Sequence, residues 1–584
     1  MNLAAITHRT TNNCCYAVDE DTIEINLRTG YEVEKVFIYH GDPFAGGILG
    51  GNWQWKGEKE EIKTVIPLSE HKLWSMRLKP PYKRVKYYFE IISKDDDILY
   101  FEDGFYHKGE IEGSTKTLQC FTMPWLNPAD VNRVPKWVND TIWYQIFPDR
   151  FCNGNKDIDD ERTLPWNSKE KVRNEYIFGG DLYGIVSKLD YLHNLGITGI
   201  YMNPIFNALS THKYDTTDYY QIDPHFGNKE IMKILVEEAH KRGIKVMLDG
   251  VFNHCGRGFK PWKDVQENGP KSKYYHWFMV NQWPFDTTKR HTHDKEFYSF
   301  SFTAGMPKLN TNNDEVIDYI CQIGEYWVKA FDIDGWRLDV ANEVSHKLCK
   351  EFRRRIHRIK PDVYILGEIW HDSMQWLQGD EFDAVMNYPL TTAINDFWIQ
   401  NETKRIFEHK LNDCYHRYMT QTNDVLFNLL DSHDTDRLIH RLNGNIDIFY
   451  QQMAILFTVP GSPCIFYGTE IVQDGAHDPE CRACMPWDEI EKGTYDERIK
   501  KMKDLIALRK NYAACKHKYI HFTSEYPQER LLEYYKKADG VTLQVLVNAS
   551  DSDVEIKKGK VVFENRLEGT CLKKDGVVIM EIIQ

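Results

Sequence analysis

Over residues 1 to about 125, apolar and polar positions alternate in short segments: Thr22–Leu27, Val33–Tyr39, Lys63–Pro67, Leu73–Leu78 and Val85–Ile92. Gly, Pro and Asp clusters separate them. A period of two places successive side chains on opposite faces, so the pattern predicts half-buried strands and an N-terminal β-sandwich over residues 1–125. Pro124, Pro128 and Pro135 then mark a linker.

From Thr141 onward the period changes. Apolar runs at Ile142–Phe147, Ile197–Met202, Lys245–Val251, Gly335–Val340, Val363–Gly367, Phe382–Met386, Val425–Leu430 and Pro463–Tyr467 alternate with amphipathic stretches such as Asn228–Arg242, Asp314–Phe331 and Ser345–Lys360. Near-continuous apolar strands alternating with helices indicate a parallel sheet covered on both faces, and eight such units close into a (β/α)8 TIM barrel. The fold class is therefore α/β, with the barrel over residues 126–504. The interval 253–313 is too long for a structureless connection after the third strand and predicts an inserted subdomain. Short alternating segments return at Leu531–Lys536, Gly540–Asn548, Val554–Ile556 and Val577–Ile582, which predicts a C-terminal β-sandwich domain over 505–584.

Composition narrows the chemistry. A formal net charge of −14 argues against nucleic acid or an anionic membrane surface as partner. Met1–Tyr16 lacks the basic start and apolar core of a secretory signal, and no run of about 18 apolar residues occurs. Thirteen cysteines in no scaffold-like spacing read as free thiols, so the expected location is cytoplasmic. Cys481 and Cys484 form one CxxC with no second pair or His cluster, which does not make a zinc site. The 16 Trp, 33 Tyr and 29 Phe mostly fill cores, and those left over offer stacking faces for a neutral ring such as a sugar.

Acidic, His and Arg residues collect at the C-terminal ends of four predicted strands: Asp249–His254, Asp334–Glu343, Gly367–His371 and Asp431–Asp434. One Asp at a strand end is ordinarily a helix cap or turn former. Four clusters at corresponding positions are not explained that way, because those ends share the face of a barrel that carries chemistry. Paired carboxyls suit glycosidic cleavage, which needs one protonated and one ionised carboxyl flanking the bond. Arg337 precedes Asp339 by two residues and so shares its side of the strand, where it would keep Asp339 ionised as a nucleophile. Glu368 sits beside Trp370 with no basic neighbour in sequence, a setting expected to raise its pKa and suit a general acid.

In order and content these segments resemble the α-amylase family of glycoside hydrolases, as do Trp143–Phe151, His212–Asp215 and Tyr467–Glu470. Met306–Asn310 and Val340–Glu343 look like the signatures of its neopullulanase, cyclomaltodextrinase and maltogenic amylase subgroup, whose members also carry an N-terminal β domain. The resemblance implies a retaining hydrolase of α-1,4 and some α-1,6 glucosidic bonds in cyclodextrins, maltodextrins and pullulan, with transglycosylation. Carried over by motif, Asp339 is the nucleophile, Glu368 the general acid/base and Asp434 the third carboxylate. Tyr214, His254, Arg337 and His433 would hold the sugar at the cleaved bond. Asp478 and Arg482 would contact the neighbouring glycone sugar, and Glu343 and Trp370 would line the acceptor side.

Three further expectations come from the resemblance. Asn153, Asn155, Asp159, Gly179 and Asp181 would bind a structural Ca²⁺, against a plain Asx-rich turn. The chain would form a homodimer, with the His40–Phe44 turn and Trp53 or Trp55 lining the partner's pocket. Cys255, Cys481 and Cys484 near the site would make it sensitive to oxidation or heavy metals if accessible, and Ala483–Cys484 departs from the Arg–Pro often found there. The competing readings are an oligo-1,6-glucosidase or ordinary α-amylase, and a catalytically dead glycan-binding relative.

Overall fold

The computed structural model describes residues 1–45, 55, 57–111, 118–169 and 171–582. Trp53 lies outside the described residues. The chain packs as two compact units, Met1–Arg133 with Ala393–Asn423, and Val134–Thr392 with Asp424–Gln584.

In the first unit, two antiparallel sheets form a sandwich. One joins Cys15–Ala17, Ile23–Thr29, Lys72–Leu78 and Thr64–Pro67; the other is built on Val33–Gly41, Val85–Ser93 and Asp97–Phe101. The alternation read from the sequence supplies its core, with Ile23, Ile25, Leu27, Val36, Ile38, Phe89 and Ile91 turned inward. Trp55 is fixed locally, its Nε1 donating to the Asp42 carbonyl at 2.8 Å, and Phe44 is exposed.

The second unit holds the barrel. Its strands are β1 Trp143–Ile146, β2 Gly199–Met202, β3 Lys245–Gly250, β4 Gly335–Leu338, β5 Tyr364–Gly367, β6 Ala384–Val385, β7 Phe427–Asn428 and β8 Ser462–Phe466. All neighbours pair in parallel, and a parallel bridge between Met386 and Phe427 closes β6 onto β7. Apart from Lys245 at the start of β3, the strands are buried along their length, which is why the sequence shows near-continuous apolar runs there.

The helices follow from local rules. Asp314–Phe331 starts at Asn313, whose side chain accepts from the N–H groups of Glu315 and Val316, and ends at Asp332 in the left-handed conformation. Its Val316, Ile320, Ile323, Trp327 and Phe331 recur at helical spacing and are buried. Removing the Trp327 side chain would cost about 3–5 kcal/mol. The 253–313 interval forms the inserted subdomain, with a helix at Lys260–Asn268 and aromatic packing of Trp262 against Phe278, Phe285 and Phe297. The C-terminal segment forms a six-stranded antiparallel sheet burying Leu531, Leu546, Val578 and Met580.

Candidate active site

Parallel pairing of β3, β4 and β5 sets the centre of the site. Asp249 on β3 is the register partner of Arg337 on β4, and Leu338 pairs with Gly367, so Asp339 and Glu368 follow side by side. Arg337 is fully buried. Its Nη1 donates to Asp249 Oδ1 at 2.9 Å and to Asp339 Oδ1 at 2.8 Å. Its Nη2 lies 2.8 Å from Glu368 Oε2. That last contact is an ion pair and not a directed hydrogen bond, because Nη2 makes no hydrogen bond of normal geometry.

Glu368, which has no basic neighbour in sequence, thus has one in space. Sequence neighbours do not reveal a partner that arrives from the adjacent strand. Glu368 takes two directed hydrogen bonds, from Val340 N–H to Oε2 at 2.9 Å and from Trp370 Nε1 to Oε1 at 3.2 Å. The expected electrostatics of Asp339 need correction. Burial pushes Asp339 up from the ordinary carboxylate range; Arg337 opposes the rise, and Glu368 and Asp249 add to it. Burial likewise raises Asp249 to about 6. Both Asp339 and Asp249 therefore hold a proton more readily than an exposed carboxyl does, despite the guanidinium they share.

A network of neutral groups surrounds this centre. Gln145 Nε2 donates to Nδ1 of His433 at 2.7 Å, which leaves the proton on Nε2. That nitrogen is 2.6 Å from the Tyr214 hydroxyl and 3.1 Å from Asp434 Oδ2, while Tyr214 donates to Asp249 at 3.0 Å. The Tyr214 and His433 rings stack at 5.6 Å and 10°. Burial, then Arg482 and Arg337, push the pKa of His433 well down, so the imidazole is neutral. His254 is also fully buried, stacks on Phe300 at 4.8 Å, and has its pKa pushed down to about 3 by burial and by Lys308. Its Nε2 is buried and makes no hydrogen bond of normal geometry.

Asp434 and Asp478 are bridged by Arg482, whose Nη2 lies 3.3 Å from the first and 3.1 Å from the second. Arg482 Nη1 also donates to Asn174 Oδ1 at 3.2 Å. On another side, Trp370 is half exposed and stacks on Tyr388 with centroids 3.5 Å apart. Lys308, from the Met306–Asn310 segment, donates to the Glu343 carboxylate at 3.1 Å and to Asn253. The eleven carbohydrate-directed residues named from sequence thus fall on one end of one barrel, linked through Arg337, Tyr214 and Arg482 or bordering that network.

Sequence reasoning placed Asp249 in a strand-end cluster without giving it a role, and missed Tyr388 as a site member. Asp249 carried a signal, as the one acidic residue in the apolar run Lys245–Gly250. Tyr388 opens a helix after β6 and carried none, because only the fold brings it beneath Trp370.

The expected cation ligands divide into two groups. Asn153 donates from Nδ2 to both Asp159 oxygens at 2.9 and 3.1 Å, and its Oδ1 is buried without a partner. A Cβ on Gly179 would meet Asp159 Oδ1 at 2.4 Å, so glycine keeps this cradle open. Asn155 and Asp181, in contrast, are occupied with backbone. Asn155 Oδ1 accepts from Asp157 N–H, and Asp181 accepts from the N–H groups of Gly154, Asn155 and Gly184 while capping a helix. Among the described residues no cluster of three or more His, Cys, Asp or Glu side chains is arranged to hold a metal.

The thiols near the site are buried and unpaired, and burial lifts those of Cys481 and Cys484 to about 12. Their burial removes the accessibility on which the expected sensitivity to thiol reagents depended.

Two family models match this chain: "Alpha amylase, catalytic domain" over residues 145–541 and "Alpha amylase, N-terminal ig-like domain" over residues 1–127. A cyclomaltodextrinase from Geobacillus thermopakistaniensis is 44% identical over 558 residues, covering 95% of this chain and 92% of that protein. An intracellular maltogenic amylase from Bacillus subtilis is 44% identical over 516 residues, covering 87% and 84%. The solved structure of a cyclomaltodextrinase superposes with a TM-score of 0.88 at 38% identity, covering 100% of this chain and 98% of that one. With a closed eight-stranded barrel and carboxyls at the ends of β4, β5 and β7, the chain belongs to the α-amylase family of glycoside hydrolases.

Proposed function

We propose that this enzyme hydrolyses α-1,4 and some α-1,6 glucosidic bonds in cyclodextrins, maltodextrins and pullulan by double displacement with retention. The observation that carries the reading is the gathering of Asp339, Glu368 and Asp249 about the Arg337 guanidinium, with Asp434 joined to the same network through His433.

Glu368 donates the proton on Oε1 to the glycosidic oxygen, since Oε2 is held by Val340 and Arg337. As that bond breaks, an Asp339 oxygen bonds the anomeric carbon and a covalent glycosyl-enzyme forms. Glu368, now ionised, takes a proton from water, whose oxygen displaces Asp339 and restores the starting configuration. When a sugar hydroxyl replaces water, the product is transglycosylation. The neutral imidazoles of His254 and His433 and the Asp434 carboxylate bind sugar hydroxyls, and the burial of the two histidines keeps water from screening their contacts. Arg482 and Asp478 hold the glycone side, and the Trp370–Tyr388 stack and Glu343 receive the acceptor.

The names of relatives and the thirteen unpaired cysteines support a cytoplasmic enzyme. A homodimer in which the N-terminal domain's His40–Phe44 turn and Trp55 narrow the partner's cleft would favour cyclodextrins over granular starch. Structural Ca²⁺ at Asn153 and Asp159 belongs to the same reading; it would supply charge neutralisation at a turn and no catalytic step.

The deciding measurement is a product profile by chromatography on β-cyclodextrin, pullulan and soluble starch at equal mass, with light scattering for the oligomeric state. Fast opening of cyclodextrin to maltose and glucose, panose from pullulan and slow starch hydrolysis are expected. Fast starch hydrolysis with cyclodextrin untouched would overturn the substrate assignment while leaving the carboxylates in place.

A further inference from the structure

Val340 follows the proposed nucleophile and has φ 45° and ψ 45°, in the left-handed region. That region is costly for any residue with a Cβ and most of all for a β-branched one. The residue is neither glycine nor asparagine, so the surrounding bonds must impose the conformation.

The hydrogen-bond ladder shows what the conformation does. Glu368 N–H donates to the Leu338 carbonyl at 3.0 Å, and Leu338 pairs with Gly367. A regular parallel ladder would next send Val340 N–H to the Glu368 carbonyl. Instead, Ala341 N–H takes that carbonyl at 3.1 Å. The ladder slips by one residue, as at a bulge, and Val340 N–H is released to the Glu368 side chain at 2.9 Å.

We propose that Val340 is a positioning residue: its left-handed turn shifts the β4–β5 ladder by one residue and thereby supplies the directed backbone donor that orients Glu368. The peptide joining Asp339 to Val340 then ties the two reacting carboxyls to one rigid turn. Asp339 N–H is bound to the Gly250 carbonyl at 3.1 Å, and Glu343 N–H closes on the Val340 carbonyl at 3.0 Å, so the turn is braced on both sides.

The inference rests on Glu368 being the acid/base, and Glu368→Gln tests that assignment separately. The experiment is kcat and KM on β-cyclodextrin and on a p-nitrophenyl α-maltoside for the full-length enzyme and a Val340→α-hydroxyisovalerate variant, which replaces only N–H by oxygen. Loss of the donor is expected to lower kcat on β-cyclodextrin by about tenfold with KM little changed, and to spare the p-nitrophenyl substrate, whose good leaving group needs little help from an acid. If Glu368→Gln is inactive on cyclodextrin but the ester variant keeps the parent kcat there, the positioning role is refuted and the acid/base assignment stands. Should the ester variant fail to fold, Val340→Gly decides: it keeps the N–H and tolerates positive φ, so any loss should be confined to cyclodextrin, and an equal loss on both substrates would show that the valine side chain, not the aim of Glu368, is what matters.

Discussion

Arg337 Nη2 lies 2.8 Å from Glu368 Oε2, although the two residues sit on neighbouring strands thirty-one positions apart in sequence. One guanidinium therefore serves Asp249, Asp339 and Glu368 together. The proposed nucleophile and the proposed acid are thus held by the same buried side chain, which fixes their separation across the scissile bond.

Replacing Asp339 by Asn removes the nucleophile without changing side-chain shape. Turnover of β-cyclodextrin should fall by about 10⁴-fold or more, while the melting temperature stays near or above that of the parent, since burial already disfavours the Asp339 charge. Steady-state assays with calorimetry check both; a variant retaining a tenth of the activity would reject the assignment.

His254 should make the enzyme acid-sensitive. Its folded pKa of about 3 lies below the unfolded value near 6.5, so its contribution is present above 6.5 and is lost as pH falls toward 3. Between pH 7 and 5 this amounts to about 2 kcal/mol. Asp249 acts oppositely: its folded value of about 6 exceeds the unfolded value of 3.8, so its term is present below 3.8 and lost as pH rises through 6. Urea unfolding of His254→Asn at pH 7 and pH 5 isolates the histidine, and its stability should fall less on acidification than the parent's by about that 2 kcal/mol. Equal losses in both proteins would exclude this origin of acid sensitivity.

Trp370 offers an open aromatic face backed by Tyr388. Trp370→Ala should reduce transglycosylation relative to hydrolysis and lower kcat/KM on maltodextrins by about tenfold, through weaker acceptor stacking. Its Nε1 also donates to Glu368 Oε1, so Trp370→Phe separates the two contributions by keeping the face and removing the donor. An unchanged transfer ratio in Trp370→Ala would place the acceptor elsewhere.

Native thiol titration should be slow. Of the thirteen cysteines only Cys14, Cys120 and Cys571 are even partly exposed, so a disulfide reagent should react promptly with no more than three groups until denaturant is added. Rapid inactivation by a small alkylating agent, traced by mass spectrometry to Cys255 or Cys481, would contradict the observed burial.

Calcium, if held at Asn153 and Asp159, should raise the melting temperature in the millimolar range and leave kcat unchanged. In Asp159→Ala that rise should vanish while the catalytic constants remain those of the parent. A calcium response unaffected by Asp159→Ala would move the ion to another site.

The sequence by itself determined the barrel and its active end. Eight apolar runs at Ile142–Phe147 through Pro463–Tyr467 can be satisfied only with both faces covered, and charged residues clustered at four of their C-terminal ends have one face in common. Those are properties of spacing along the chain, and spacing is local. What only the tertiary structure decided is who meets whom across strands. Asp249 becomes a partner of Arg337 through register, Tyr388 comes under Trp370 through the fold, and Arg337 reaches Glu368 from the neighbouring strand. The buried state of Asp339, His254 and the cysteines was equally invisible, because desolvation depends on every atom packed around a group, whereas the sequence names only the two neighbours beside it.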